Sequence, residues 1–292
     1  MTERTHKAPF TTIPLKTYLL VAPQTLIFLG FLVVPLVMIG VVSFWQFNGY
    51  TMTPALVWTN YRSIFTSAVY LATYLSTFKF VAIVWGITLA IAYPVAYFLA
   101  FHIQPLRWQV FWFVVCTIPF FTSNIIRMIA WIPFLGREGL LNQALLAIGL
   151  IQAPVELFLF SDFAVVLAMV HLYVLFMIVP IFNSLMRIDR QLIRAAVDAG
   201  ASGWQVLREV ILPLSGPGVA IGSILVVTMV MGEFTTIRLM SGGQASAVGY
   251  AIRNQIGSLQ YPLAAANAVL LLLVTLLLVF GILRTVDLRQ EL

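Results

Sequence analysis

The chain has 292 residues, of which 61% are hydrophobic and 9% charged, with a formal net charge of +6. Such a composition excludes a water-soluble globular fold and makes this an integral membrane protein, because about 20 consecutive apolar residues suffice to cross a bilayer. The one cysteine, Cys116, excludes an intrachain disulfide and a cysteine metal cluster.

A polar tail, 1–16, precedes the first apolar run, which predicts a helix over 18–44. The segment 17–62 then comprises that helix and an external loop. This run is too long for the core of a cleaved signal, and no small-x-small site follows it, so it is expected to stay as an anchor. The core, 63–286, holds five further predicted spans at 76–101, 110–132, 163–183, 216–237 and 263–284, and a short tail, 287–292, closes the chain. Between the third and fourth spans, Gly139-Leu-Leu-Asn-Gln-Ala-Leu-Leu-Ala-Ile-Gly-Leu-Ile151 is apolar but too short to span, and is expected to lie along the outer membrane surface.

Six spans put both termini on one side, and the basic residues say which. With the termini inside, the cytoplasmic set is Arg4, Lys7, Lys16, Arg107, Arg187, Arg190, Arg194, Arg208, Arg284 and Arg289, against Arg62, Arg137, Arg238 and Arg253 outside. Positively charged flanks resist translocation, so both termini are expected in the cytoplasm. The net positive charge then reflects this bias and does not argue for nucleic acid as a partner.

The cytoplasmic segment 184–214 contains Arg194-Ala-Ala-Val-Asp-Ala-Gly200-Ala-Ser-Gly-Trp-Gln-Val-Leu-Arg-Glu-Val210-Ile-Leu212-Pro213. It reads as two short helices with a bend: Gly200 can end the first in a left-handed conformation, and Ser202-x-x-Gln205 has the form of a capping box that starts the second. Ala195, Ala196, Ala199, Gly200 and Ala201 leave the elbow nearly free of side chains, so the surface of another protein can approach its backbone.

Chemistry is sparse. None of the lysines, Lys7, Lys16 and Lys79, follows a glycine, so there is no phosphate-binding loop of the Gly-Lys-Ser/Thr type. His6, His102 and His171 lie in separate regions, without His-Glu-x-x-His or Gly-x-Ser-x-Gly spacing. No catalytic residue, metal site or bound cofactor is expected. His171 reads as a packed or hydrogen-bonded helix residue. A charge at membrane depth costs about 2.5–3.5 kcal/mol on insertion scales unless it faces protein or water, which singles out Arg127 and Glu233. For Glu233 two readings stand, lining of a path or structural pairing; for Arg127 a structural role is preferred. Asp162 reads as a charge at a helix N-terminus. Pro94, Pro119, Pro133 and Pro180 lie within or at the ends of predicted helices and permit kinks.

The segment 194–213 resembles the EAA loop of the membrane subunits of bacterial ATP-binding cassette importers, a pattern of Glu-Ala-Ala, three residues, Gly, nine residues, Ile-x-Leu-Pro. Ala195, Ala196, Gly200, Leu212 and Pro213 match in register, while Arg194 stands in place of Glu and Val210 in place of Ile. Pro119-Phe-Phe-Thr-Ser-Asn-Ile-Ile-Arg127-Met-Ile-Ala-Trp131, Leu135-Gly-Arg-Glu-Gly139-Leu-Leu-Asn142, Met231-Gly-Glu-Phe234 and Leu239-Met-Ser-Gly-Gly243 are similar to elements of the spermidine/putrescine-type permeases within that class.

The resemblance implies an all-α integral membrane fold of the type I importer permease kind, in the bacterial inner membrane. It implies coupling to an ATPase through Arg194, Ala195, Ala196, Asp198, Ala199, Gly200, Ala201, Ser202, Leu212 and Pro213, and a substrate path near Arg127, Trp131, Glu233, Phe234 and Arg238. Partners would be a second homologous permease in a heterodimer, two cytoplasmic ATPase subunits that use ATP and Mg²⁺, and a periplasmic solute-binding protein. The solute implied is a polyamine. Arg238 near the outer gate is unusual for a polyamine path, and leaves open an opine, a phosphonate or another small organic solute, unless it pairs with Glu233. An ion-coupled secondary transporter is the rival class; Glu233 is the one intramembrane carboxylate expected, and no internal repeat stands out.

Overall fold

A computed structural model describes residues 15–103 and 105–285. The tails expected at 1–16 and 287–292, apart from Leu15 and Lys16, lie outside the described residues, as do Arg4, Lys7 and Arg289. The chain begins with α1 (Leu15–Phe28) and α2 (Val34–Val42), joined by a π turn at Leu29–Val33. A small antiparallel ribbon follows, β1 (Gln46–Phe47) with β2 (Met52–Thr53), and then α3 (Thr59–Thr66) and the long α4 (Ala68–Tyr97). Next come α5 (Leu106–Thr117), α6 (Asn124–Leu135), α7 (Leu140–Ala147) and α8 (Asp162–Met186). The remainder is α9 (Arg190–Asp198), α10 (Gly203–Gln205), α11 (Leu212–Met231), α12 (Thr235–Met240), α13 (Val248–Gly257) and α14 (Tyr261–Thr285).

Five of the described helices are long and apolar enough to cross a membrane, at Leu20–Val42, Ala68–His102, Asp162–Met186, Gly203–Met231 and Tyr261–Thr285. The span expected at 110–132 is different: Leu106–Phe121 and Asn124–Ala147 meet at a bend of 88°. Pro119 has no N–H to continue the ladder, Ile118–Phe121 tightens into a 3₁₀ turn, and Thr122 and Ser123 are extended. The Thr122 hydroxyl turns back to donate to the Pro119 carbonyl at 2.7 Å, supplying a donor where the turn ends. The fifth expected span, 216–237, is also corrected. Its helix stops at Met231, where Gly232 breaks it, and α12 is a separate element.

The core is α8 sandwiched between α4 and α11. Buried residues run around most of α8, among them Ala164, Ala168, Met169, Met177, Ile181 and Leu185, as expected of a helix apolar on all sides and enclosed by others. Lipid tails are as apolar as leucine, so close approach of backbones has to hold such helices together. Gly218 and Gly222, four residues apart on α11, allow it. A Cβ at Gly218 would lie 2.5 Å from the Ser184 Cβ and 2.6 Å from the Pro180 carbonyl oxygen, whereas one at Gly222 would first meet the Met177 sulfur at 2.8 Å. Interhelical hydrogen bonds reinforce the sandwich: Trp85 Nε1 donates to Ser223 Oγ at 2.8 Å, and the Tyr93 and Ser215 hydroxyls share one at 3.0 Å.

Helix Ala68–His102 has 35 residues, roughly 50 Å at about 1.5 Å per residue, against the ~30 Å of a bilayer core. Lys79, expected within a span, is bonded at 2.5 Å to Asp162, the first residue of α8. The first turns of α4 therefore extend beyond the start of α8. Asp162 follows the cap residue Ser161, whose hydroxyl accepts the Ala164 N–H at 3.2 Å.

Gly218→Ala should destabilise the protein by about 1–3 kcal/mol, because the clash is with backbone and Cβ atoms that cannot move aside. Gly222→Ala should be milder, since the end of the Met177 side chain can shift. Thermal unfolding of the purified protein in detergent tests the ranking, and equal tolerance of the two would show that the α8–α11 contact is slack.

Candidate functional site

Two groups of residues stand out, at opposite ends of the α4–α8–α11 sandwich. At one end α8 leads into the elbow. Asp189 caps α9, accepting the Gln191 N–H at 2.8 Å. The helix ends at Ala199, and Gly200 follows with φ +88°. The Gly200 N–H donates to Val197 O at 2.9 Å and the Ala201 N–H to Ala196 O at 3.0 Å, the pair of bonds of a Schellman termination, which needs a residue free to adopt positive φ. Ser202 then restarts the helix: its N–H donates to Gln205 Oε1 at 2.8 Å, and its hydroxyl accepts the Gln205 N–H at 3.4 Å.

Where the sequence suggests two short helices, the second has no end of its own. Gly203–Met231 is one helix of 29 residues, so the elbow is continuous with the fifth span. A π turn at Val206–Ile211 lies just before Pro213, whose missing N–H would otherwise leave a regular helix one bond short.

Arg194, Ala195, Asp198, Ala199, Gly200, Ser202 and Pro213 are exposed, and Leu212 is 40% exposed. Ala196 and Ala201 are half-buried and face the core. A Cβ on Gly200 would meet no atom of the chain within 4 Å, so the elbow is open to a visitor. Leu192, Val197 and Trp204 are also exposed, Trp204 at 67%, and form an apolar fringe beside the alanines. Sequence reasoning passed over these three residues. Their signal is an amphipathic helix whose polar side is interrupted by large apolar residues.

At the other end α6, α8 and α12 meet. Glu233, in the break after α11, accepts the N–H groups of Thr235 at 2.7 Å and Thr236 at 2.9 Å, and the Tyr173 phenol donates to its other oxygen. The carboxylate thereby fills the unpaired donors at the start of α12 and ties that helix to α8. Thr236, fully buried, donates to the Met128 sulfur at 3.1 Å, joining α12 to α6. No ion pair links Glu233 to Arg238 or Arg127 among the described residues; Arg238 is exposed, and the pairing of Glu233 with Arg238 is not formed.

On α6, Arg127 Nη2 donates to Asn124 Oδ1 and the guanidinium lies 5.7 Å from the Phe120 ring centre, while its Nε and Nη1 are buried without an acceptor. Trp131 Nε1 donates to His171 Nδ1 at 3.0 Å, which leaves the imidazole proton on Nε2. Arg127, Trp131 and Glu233 are thus gathered around α8, whereas Phe234, 41% exposed, and Arg238 point away from these contacts. Tyr173 was not foreseen, and only the fold reveals it as the partner of Glu233.

Asn142 orders the neighbouring segment. It is fully buried, donating to Gly136 O at 3.1 Å and Val155 O at 3.0 Å and accepting the Val155 N–H at 2.8 Å. As the sequence suggests, α7 beside it is too short to span. Among the described residues no group of histidine, cysteine and carboxylate side chains could hold a metal ion.

Glu233→Ala removes an anion that receives three donors and should destabilise the protein by about 1–3 kcal/mol. Glu233→Gln keeps an acceptor oxygen and should cost less. Comparison of their unfolding temperatures in detergent checks this; no loss in either would show that α12 does not depend on the carboxylate.

No family model matches the chain. It is 32% identical over 253 residues to the spermidine/putrescine transport system permease protein PotB of Haemophilus influenzae, covering 86% of this chain and 87% of that protein. It is 33% identical over 187 residues to PotB of Escherichia coli K12, covering 64% and 67%. In fold it is similar to a chain in the crystal structure of a bacterial alginate ABC transporter in complex with an alginate pentasaccharide-bound periplasmic protein, with a TM-score of 0.74 at 18% identity and coverage of 92% of each chain.

Proposed function

The chain belongs to the spermidine/putrescine-type permeases of ATP-binding cassette importers, and from that premise we propose that it forms half of a path that carries a polyamine across the bacterial inner membrane. It is a multi-pass transporter subunit and not an enzyme. A second, homologous permease completes the path in a heterodimer, two cytoplasmic ATPase subunits bind and hydrolyse ATP with Mg²⁺, and a periplasmic protein delivers the solute. This chain binds no cofactor, and both termini lie in the cytoplasm.

The observation that carries the reading is the elbow at Gly200: a left-handed glycine with open space around it, bordered by exposed alanines and by Leu192, Val197 and Trp204, and continuous with a span. Such a surface suits a groove on an ATPase. Closure of the ATPase dimer moves the two elbows together, and the rigid helix Gly203–Met231 carries that movement to the break at Gly232 near Glu233. The path thus opens alternately to the two sides, with the solute shifting the balance only as far as it binds one state better than the other.

Uptake of radiolabelled spermidine by proteoliposomes that hold both permeases, the ATPase and the binding protein tests the assignment. Saturable uptake that requires ATP and survives a protonophore supports it. Uptake that follows an ion gradient without ATP would instead make the protein a secondary transporter, and uptake of an opine or phosphonate in preference to spermidine would overturn the substrate.

Gly200→Trp should abolish transport while leaving insertion and abundance nearly unchanged. The side chain blocks the groove, and its φ of +88° adds a local cost of about 1–2 kcal/mol. Normal ATPase co-purification and coupled hydrolysis in this variant would remove the elbow from the docking role. Arg194→Glu should keep assembly and change uptake at most a few-fold, because an exposed charge contact is worth about 0.2–1 kcal/mol. Its readout is ATPase bound per permease, and complete loss of binding would show that Arg194 is a dedicated contact.

A further inference from the structure

Helix Ala68–His102 ends in a π turn at Phe98–His102, beside the elbow and far from Glu233. The turn ends there: the Ile103 N–H donates to Phe98 O at 3.3 Å, Ile103 itself is extended, and Pro105 has no hydrogen to give. Ala100 is 2% exposed, and a buried carbonyl left without a donor is costly. Two side chains from other parts of the chain donate to this carbonyl. Gln109 Nε2 of α5, itself 3% exposed, donates to Ala100 O at 3.3 Å, and so does Arg190 Nη2, also at 3.3 Å.

Arg190 is the first residue of α9, the helix that forms one arm of the elbow. Its cation sits at a helix C-terminus, where the aligned carbonyl dipoles leave negative potential. The two donors differ in setting. Gln109 is enclosed in the protein, whereas Arg190 is exposed and reaches inward to make its bond. An arginine so placed can release the carbonyl and take it again, while the buried glutamine keeps that carbonyl satisfied in the meantime.

We propose that Arg190 is a positioning residue for energy coupling, a second mechanical link that carries movement of the docking helix to the end of α4. It acts in parallel with the continuous helix Gly203–Met231. One link moves α11 and the other moves α4, the two helices that hold α8 between them, so both walls of the sandwich respond to the same ATPase. The inference rests on the reading of 194–213 as the ATPase-docking segment.

The test measures uptake and ATP hydrolysis together in proteoliposomes that hold the whole complex. Arg190→Ala should lower solute imported per ATP hydrolysed by about threefold to tenfold, the span of one hydrogen bond of ordinary net strength at an exposed side chain. ATPase co-purification and thermal stability should stay as in the unmodified complex. Arg190→Lys, which retains a cationic donor, should recover most of the ratio. Gln109→Leu should chiefly lower thermal stability, because it strips the permanent donor from a buried carbonyl. An unchanged import-to-hydrolysis ratio in Arg190→Ala would overturn the proposal. Loss of the ATPase from the Arg190→Ala complex would overturn it too, by making Arg190 a docking contact rather than a link. Failure of the unmodified complex to retain its ATPase would instead defeat the docking reading, and needs no Arg190 variant to detect.

Discussion

Lipid offers a backbone neither donors nor acceptors, so a helix that stops at membrane depth has to find both within the protein. This chain stops its helices repeatedly, and several of the stops are closed by a side chain. The Thr122 hydroxyl serves the turn after Pro119, Glu233 serves the start of α12, and Gln109 with Arg190 serves the end of the second long span. These polar side chains are few in a sequence that is 61% hydrophobic, and they sit at the ends and breaks of helices. The same closures join elements distant in sequence: Tyr173 to Glu233, Met128 to Thr236, and the elbow to α4. Local satisfaction and long-range connection are one set of bonds.

That arrangement suits a molecule that has to move without leaking. The α8–α11 contact, with backbones drawn together at Gly218 and Gly222, is tight, since even a methyl group at Gly218 would collide with backbone. The breaks around it are held by hydrogen bonds individually worth about a kcal/mol or two, which can be exchanged at modest cost. A continuous helix of 29 residues runs from the elbow, through the firm contact, to the break at Gly232.

Large parts of the surface are apolar and uncovered. The helix Leu20–Val42 has none of its residues buried, and Phe121 at the 88° bend is 88% exposed. In the membrane such faces meet lipid, and their exposure in a single chain is no instability. The elbow's apolar fringe lies outside the spans and calls for a protein partner, in keeping with a docking role.

The sequence by itself determined the membrane class, the approximate place of most spans and the construction of the elbow. Length, apolarity and the Gly200 and Ser202 signals are local properties, and a helix termination or a capping box is complete within a few residues. It ran the third span straight through the bend that Pro119 only permitted and carried the fifth past Gly232, because hydropathy registers apolar runs and not whether a permitted break is taken. Arg127, Trp131 and Glu233 could be singled out as costly or unusual at membrane depth, but their partners could not. Tyr173 is 60 residues from Glu233, His171 is 40 from Trp131, and Arg190 is 90 from Ala100. Only the tertiary structure decided those pairs, because which donor fills an orphaned group depends on which helix faces are pressed together, and packing against α8 sets that.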